Sequence, residues 1–518
     1  MPYKPEQSWA RWSPERMREE QGKKLYRYVN EQLVPFSPLY RRLFREHGID
    51  PKSIKSVDDL QKIPFTSKEE IAPTKENPDR PRDLVLQPNA DLIKEHWGLS
   101  RKLPLLAQKL VCGQDAVLKG LAREYRPVSV FFTTGRSALP TAFTLSRYDL
   151  GILEEVGRRI LEVAGADSAN DRVLNIFPFA PHLAFWQVYY AGIGGTIFNL
   201  NTGGGKVMGT AAILQAIDKI RPAYLVGIPG YIYHLLREAR ENSIDMSCVK
   251  GLAVGGDQAT SGYRERVKEM LSNMGAKNPR VHSVLGFTEA RKCWAECEGQ
   301  EPAGFHSYPD LEIMELVDPD TGKPVGEGET GELVYTSLDG RGSTVLRYRT
   351  GDLIVGGMTL QTCPFCGRSV PRLASRLERV SNMKSFQLSK VKGTLVNLNV
   401  FKTELDSSSL IEEWQLVIRK RNDDPFDVDE MHLNLSLSSK VSEGEREKVV
   451  SEIEQRLFQV SEVRVNSTRV LPLPEILDLL GMETQLKEKR IVDLRSGTGV
   501  EQEPKSAGAA DAVKNASR

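Results

Sequence analysis

A parallel α/β sheet carrying a β-rich annex, followed by a separate small α+β unit, is the architecture this sequence predicts, and three observations predict it. Between Val128 and Leu285 short apolar runs alternate with amphipathic helical stretches. After Asp310 the pattern changes to strands and turns, and from about residue 380 to 493 a second α+β rhythm sets in. Alternation of the first kind lays helices over a parallel sheet and leaves ligand sites at the carboxyl ends of its strands. At 518 residues the chain exceeds one core, and about three folding units are expected.

Residues 1–75 read as helical: Met17, Leu25, Tyr28, Val29 and Leu33 follow a helical period that Pro35, Pro38 and Pro51 interrupt. Thr66-Ser67-Lys68-Glu69-Glu70 has the form of a helix start. Residues 76–125, rich in Pro, Asp, Lys and Arg, give no assignment. Residues 128–132 read as a strand. Ser146 and Asp149 resemble a capping box opening a helix with Leu150, Leu153, Val156 and Ile160 on one face. Strands are then expected at 173–177, 223–228, 252–254 and 281–285, with helices at 211–220, 231–240 and 263–274. In the annex, 311–317, 331–336 and 344–348 read as antiparallel strands. Beyond it come strands at 413–418, 431–437 and 463–470 and a helix at 443–458. The tail, 494–518, has the composition of a disordered segment.

Composition excludes several classes. Lys+Arg (70) and Asp+Glu (69) cancel to +1, without the basic excess of a nucleic-acid binder. Residues 173–205 lack Asp, Glu, Lys and Arg and could span a bilayer by length. Pro178, Pro181, His182, Asn199, Asn201 and six glycines interrupt them, so a buried core segment is expected and no membrane span. The charged N-terminus is no signal peptide, and six cysteines do not make a secreted scaffold; the expected location is cytoplasmic.

Two motifs point to nucleotide chemistry. In Arg347-Tyr348-Arg349-Thr350-Gly351-Asp352, an acid directly after a Gly turn can offer its carboxylate to the hydroxyls of a ribose, as in dinucleotide sites. In Leu285-Gly286-Phe287-Thr288-Glu289, an acid after a hydroxyl residue can hold magnesium, which takes one or two carboxylates. The bland readings are a turn acid, and a helix cap followed by a solvated acid.

Further stretches fall in the same order: residues 33–42, Pro64-Phe65-Thr66, Ser146-Arg147-Tyr148-Asp149-Leu150 and Gly255-Gly256-Asp257. With them the chain resembles the phenylacetate–coenzyme A ligase family of the adenylate-forming (AMP-dependent synthetase/ligase) superfamily over about residues 15–493, with an insertion near 76–120. The resemblance implies a large adenylate-forming domain at 1–378 and a small mobile lid domain at 379–493. It implies a reaction in which a carboxylate attacks the α-phosphate of ATP to give an acyl-adenylate, and the thiol of coenzyme A then displaces AMP. Thr133, Thr134, Gly135 and Ser137 would belong to the phosphate loop, with Arg136 as its cation. Gly256, Asp257, Gly286 and Phe287 would border the nucleotide, Asp352 would hold the ribose, Arg379 would reach the ribose or phosphate, and Thr288 would donate to the α-phosphate. Glu289 would hold magnesium. Lys487, in Thr484-Gln485-Leu486-Lys487-Glu488-Lys489-Arg490, falls where the family has a lysine bridging carboxylate and phosphate, with Lys489 as the alternative; a cation there offsets repulsion between two anions.

The chain also departs from the family pattern. Ala138 and Leu139 replace a glycine and a lysine of the phosphate loop, and Val380-Ser381-Asn382 replaces an acidic hinge. Arg136 would have to substitute for the lysine with a different geometry. These changes leave three readings open: an aryl or aryl-alkyl acid–coenzyme A ligase, the same adenylation with an amine or carrier-protein thiol as acceptor, and a nucleotide-binding protein without turnover. The oligomeric state stays open, a homodimer included, and the insertion could serve as a lid, a dimer contact or a carrier-protein docking surface.

Cys363-Pro364-Phe365-Cys366-Gly367 is a C-x₂-C knuckle of the kind that closes half a zinc site. Cys297 and His306 could supply the other half, with Cys293 as an alternative to Cys297, against the reading of free, buried cysteines. Members of the resembled family show a similar pattern, which implies a structural zinc. The charge-free stretch holds Phe179, His182, Phe185 and Trp186; its equivalent in the family lines the acyl pocket, and aromatic walls favour flat substrates.

Overall fold

The structure, a computed structural model, describes residues 3–133, 140–297, 299, 303–380, 388–391, 394–423, 429–461, 463–482 and 488–494. Its centre is a six-stranded sheet in the spatial order Phe198–Asn201, Arg172–Asn175, Tyr224–Gly227, Gly251–Gly255, Arg280–Phe287 and Lys292–Ala295. The first five strands run parallel and the last is an antiparallel edge. Val173, Leu174, Leu225, Leu252 and Val254 are buried, as expected of strands covered on both faces. The helices Leu183–Gly195, Thr210–Ile220, Pro229–Glu241 and Ser261–Asn273 make the crossovers. From Arg172–Asn175 the chain turns to one edge, and from Tyr224–Gly227 it proceeds to the other. The two adjacent strands therefore flank a topological switch point, where open α/β sheets form a crevice.

The annex is a four-stranded antiparallel sheet, Glu312–Val317, Gly331–Ser337, Tyr348–Val355 and Arg376–Arg379, beside a small three-stranded one. An N-terminal segment is knitted into it. Thr66 donates its backbone N–H to the Arg347 carbonyl (3.0 Å) and accepts from the Arg349 N–H (2.8 Å). The Thr66 hydroxyl donates to the Leu346 carbonyl at 2.8 Å, across 280 residues of sequence. At the far end, Ser467–Val470, Asp429–Leu437, Ile411–Lys420 and Ile491–Asp493 form a mixed sheet. Its core, including Phe401, Trp414, Leu416, Leu433 and Leu457, is a cluster drawn from residues 398–463.

Several expectations need correction. The strand expected at 344–348 begins only at Tyr348 and runs to Val355, because Arg347 sits at φ 46°, which ends extension there. That conformation is held by the Arg347 guanidinium, which pairs with Glu315 and donates to the Ile63 carbonyl at 2.7 Å. Residues 76–125 contain a short 3-10 helix, Arg80–Leu84, and three α-helices, Ala90–His96, Leu99–Cys112 and Gln114–Tyr125. The charge-free stretch holds the 13-residue helix Leu183–Gly195, whose apolar residues surround it and leave no periodic stripe to read. Only Ser467–Val470 of the expected strand 463–470 is extended, and Leu398–Ser407 and Leu473–Leu480 are helices that had no assignment. Among the described residues no helix is long and apolar enough to cross a membrane. The tail beyond 494 and the hinge residues Ser381 and Asn382 lie outside the described residues.

Candidate active site

The residues singled out in the sequence collect at the carboxyl edge of the parallel sheet. Phe179 follows Arg172–Asn175, Gly256 and Asp257 follow Gly251–Gly255, and Thr288 and Glu289 follow Arg280–Phe287. Gly256 adopts φ 83°, a turn that a side chain would strain. Gly286 has a packing reason to be glycine, since a Cβ there would collide with the Cys293 sulfur. The Phe287 ring is packed against Trp294 and Tyr335, with centroids 5.3 and 5.4 Å away.

The two nucleotide motifs meet through Tyr348, whose hydroxyl donates to Glu289 Oε1 at 3.0 Å. Burial, reinforced by the Glu289 carboxylate, holds this phenol well above its usual range, so it stays a donor. Four residues further along the same strand, Asp352 pairs across the sheet with Arg379, and their side chains form a 3.1 Å ion pair. The guanidinium of Arg379 is mostly exposed while the Asp352 carboxylate is not, so the pair stands at the rim of the sheet. Thr350 fixes the turn, its hydroxyl donating to the Leu333 carbonyl (2.9 Å) and accepting from the Asp352 N–H (3.1 Å).

Asp257 is engaged by the C-terminal unit. Lys402, on the helix Leu398–Ser407, lies 2.8 Å from its Oδ2, and Thr260 donates to Asp406 of the same helix at 3.3 Å. The Thr133 hydroxyl accepts from the Thr141 N–H at 3.1 Å. Thr134, Gly135, Arg136 and Ser137 lie outside the described residues, as does Lys487. Sequence reasoning assigned no role to Tyr348, although it quoted the residue, and none to Lys402, which no motif marks.

At the switch point stand the aromatics. Phe179 meets Phe185 edge-on at 5.3 Å, Phe185 meets Trp186 at 5.4 Å, and Trp186 meets Tyr189 at 5.8 Å. Phe179 and Tyr189, at the two ends, are exposed and Phe185 is buried, so the ladder dips from the surface inward and returns. His182 is tied to the backbone, its Nδ1 2.9 Å from the Phe132 carbonyl oxygen.

Away from this edge, Cys297, His306, Cys363 and Cys366 bring four ligand atoms within 4.8 Å of one another. The Cys297 and Cys363 sulfurs are 3.7 Å apart, and Cys366 Sγ is 3.3 Å from His306 Nε2. Tetrahedral zinc with Zn–S near 2.3 Å and Zn–N near 2.0–2.1 Å requires edges of about 3.8 and 3.6 Å, so the donor set fits. His306 Nδ1 is 3.1 Å from the Gly304 carbonyl, the outer bond that orients a histidine ligand. Cys293, the alternative ligand, is packed among Phe131, Leu145 and Leu153 instead.

Residues 127–339 match the AMP-binding enzyme family. Over most of its length it is a relative of phenylacetate–coenzyme A ligases. It is 26% identical over 459 residues to that enzyme of Thermus thermophilus, covering 85% of each chain. Against the phenylacetate–coenzyme A ligase of Pseudomonas putida the identity is 23% over 431 residues, 81% of this chain and 82% of the relative. Among solved structures, 2-hydroxyisobutyryl-CoA ligase in its postadenylation state superposes with a TM-score of 0.70 at 20% identity, over 100% of this chain and 97% of that one.

Proposed function

We propose that the protein is an AMP-forming acid–coenzyme A ligase that activates a carboxylic acid as its adenylate and transfers the acyl group to the coenzyme A thiol. The observation that carries this reading is the Tyr348–Glu289 hydrogen bond, 3.0 Å, which joins the phosphate-side motif to the strand that presents Asp352. In this reading Asp352 and Arg379 bind the ribose, Gly256 and Asp257 border the adenine, and the phosphate loop 133–141 with Arg136 cradles the phosphates. Asp257 must exchange its Lys402 partner or share it with the base. Thr288 donates to the α-phosphate, and Glu289, one oxygen held by Tyr348, would bind magnesium, which neutralises phosphate charge.

The acid is an aryl or aryl-alkyl one, on the support of the edge-to-face ladder Phe179, Phe185 and Trp186 at the switch point, with His182 beside it. Residues 1–378 act as the body and 379–493 as a lid that rotates about Val380 and the residues after it. Cys297, His306, Cys363 and Cys366 would hold a structural zinc. It would link the loop after the magnesium motif to the knuckle that follows the ribose strand. The location is cytoplasmic.

A panel of carboxylic acids assayed for pyrophosphate release tests the reading; no release with any acid would mean binding without turnover. Mass analysis with coenzyme A, amines and a carrier protein then identifies the acceptor. Lys487→Ala should slow adenylation about 100- to 1,000-fold while leaving transfer from prepared acyl-adenylate near the wild-type rate. Equal damage to both steps would remove Lys487 from the reaction. For the metal, elemental analysis of protein purified without additions should give about one zinc per chain. Cys363→Ser with Cys366→Ser should lose the metal and lower the melting temperature.

A further inference from the structure

The helix Leu99–Cys112 turns its apolar side outward. Leu99, Leu103, Leu106 and Leu110 are 74%, 59%, 54% and 87% exposed, and Val111 is 83% exposed. At about 100° per residue the four leucines fall within an arc of about 60°. Their spacing of four, three and four residues is the seam of a coiled coil, narrower than the stripe that faces a globular core. The opposite side of the helix is already occupied. Leu105 packs on the body's core, and Gln108 Nε2 donates to the Ala116 carbonyl of the next helix at 3.4 Å. Arg101 is paired with Glu31 at 2.9 Å and stacks on Trp97. The leucines therefore cannot be buried by rolling the helix.

We propose that this seam is a homodimer interface, in which the helix of one copy packs against the same helix of a second copy across a two-fold axis. The exposed surface of the four seam leucines is roughly 450–550 Å² per copy, so pairing would bury at most about 900–1,100 Å², the size of a weak, reversible interface. A narrow seam suits ridge-to-groove packing against a helix. A helix lying on lipid presents a broad apolar face with cations on its polar side, whereas here Lys102 and Lys109 flank only one side of the seam and Ala107 and Val111 the other. Two copies bring these lysines together, so added salt should favour the dimer rather than weaken it.

Sedimentation velocity over chain concentrations of about 1–100 µM, at low and high sodium chloride, reads the proposal directly. The wild-type chain should pass from monomer to dimer, no more weakly at high salt. Leu103→Glu and Leu106→Glu should each weaken the dimer by about 100-fold or more, since each would bury a carboxylate in the seam. Both leucines are more than half exposed, so circular dichroism of the variants should match the parent, as should the melting temperature at chain concentrations where the parent is monomeric. A wild-type chain monomeric throughout, or a dimer that survives both substitutions, overturns the proposal. So does a monomer that uses the same leucines to sediment with phosphatidylglycerol vesicles or to bind an acidic carrier protein.

Discussion

Two buried arginines show opposite ways of holding a charge in this molecule. Arg159, on the body helix Arg147–Val163, is fully buried and satisfied: it pairs with Asp310 at 2.6 Å and with Glu155 at 2.8 Å, and stacks on Trp9 at 4.6 Å. Arg237, on Pro229–Glu241, is equally buried but faces Glu413 of the C-terminal unit at 3.7 Å, too long for a hydrogen bond. Its Nε and Nη1 and the Glu413 Oε1 find no hydrogen-bond partner among the described residues. Glu413 is shared with Arg490, 2.9 Å away. A buried ion pair stabilises only when its geometry repays desolvation. The first cluster meets that condition and works as a strut; the second does not, and separates at little cost. Such a contact suits the lid rotation proposed above.

Asp310→Ala breaks the comparison most severely. It leaves the buried Arg159 with Glu155 as its one carboxylate partner in the cluster and should cost about 3–5 kcal/mol of stability, read as a lowered denaturation midpoint. The ratio of adenylation to acyl transfer should not change in the fraction that stays folded, and wild-type stability would disqualify the strut. Glu413→Gln should cost only about 1–2 kcal/mol, because Arg490 keeps Glu488 at 2.8 Å. If the C-terminal unit does rotate, this variant should change the ratio of the two half-reactions by severalfold; an unchanged ratio with a large stability loss would make it a second strut.

Lys292 is the intermediate case, buried inside the body yet 3.8 Å from Glu312. Burial, partly offset by Glu312, pulls its pKa down to about 8. The unfolded chain, near the ordinary lysine value, takes up the proton first as pH falls. The group's contribution is therefore favourable at high pH and is lost as pH drops toward 8, with no further change below. Lys292→Met should remove that dependence, roughly 0.5–1 kcal/mol per pH unit between pH 8 and 10 in the difference between variant and parent. A constant difference over that range would refute the shift.

The sequence disclosed the parallel sheet well because its strands are short apolar runs separated by helices with one apolar face. The capping box is an example: Ser146 accepts from the Asp149 N–H at 3.3 Å and Asp149 Oδ2 accepts from the Ser146 N–H at 2.8 Å, as read in advance. Periodicity failed where burial is not one-sided, in the aromatic helix at 183–195, and at Arg347, where a local left-handed conformation is imposed by partners near in space only. Of the motif residues, Gly256, Glu289 and Asp352 fall at the sheet's carboxyl edge or on the adjoining annex strand. Contacts between units were not, since nothing near Lys402 in sequence announces Asp257, 145 residues away.

The stitch between Thr66 and residues 346–349 also has a consequence in time. A ribosome working at about 5–20 residues per second needs roughly 15–60 s to make the intervening chain. Through that interval the first seventy residues have no annex strand to join, because the strand Tyr348–Val355 has yet to be made. Stalled chains ending near residue 335 should expose the region around Thr66 to protease, and chains ending near residue 400 should protect it. Equal cleavage of the two would show that the segment is ordered before its partner exists.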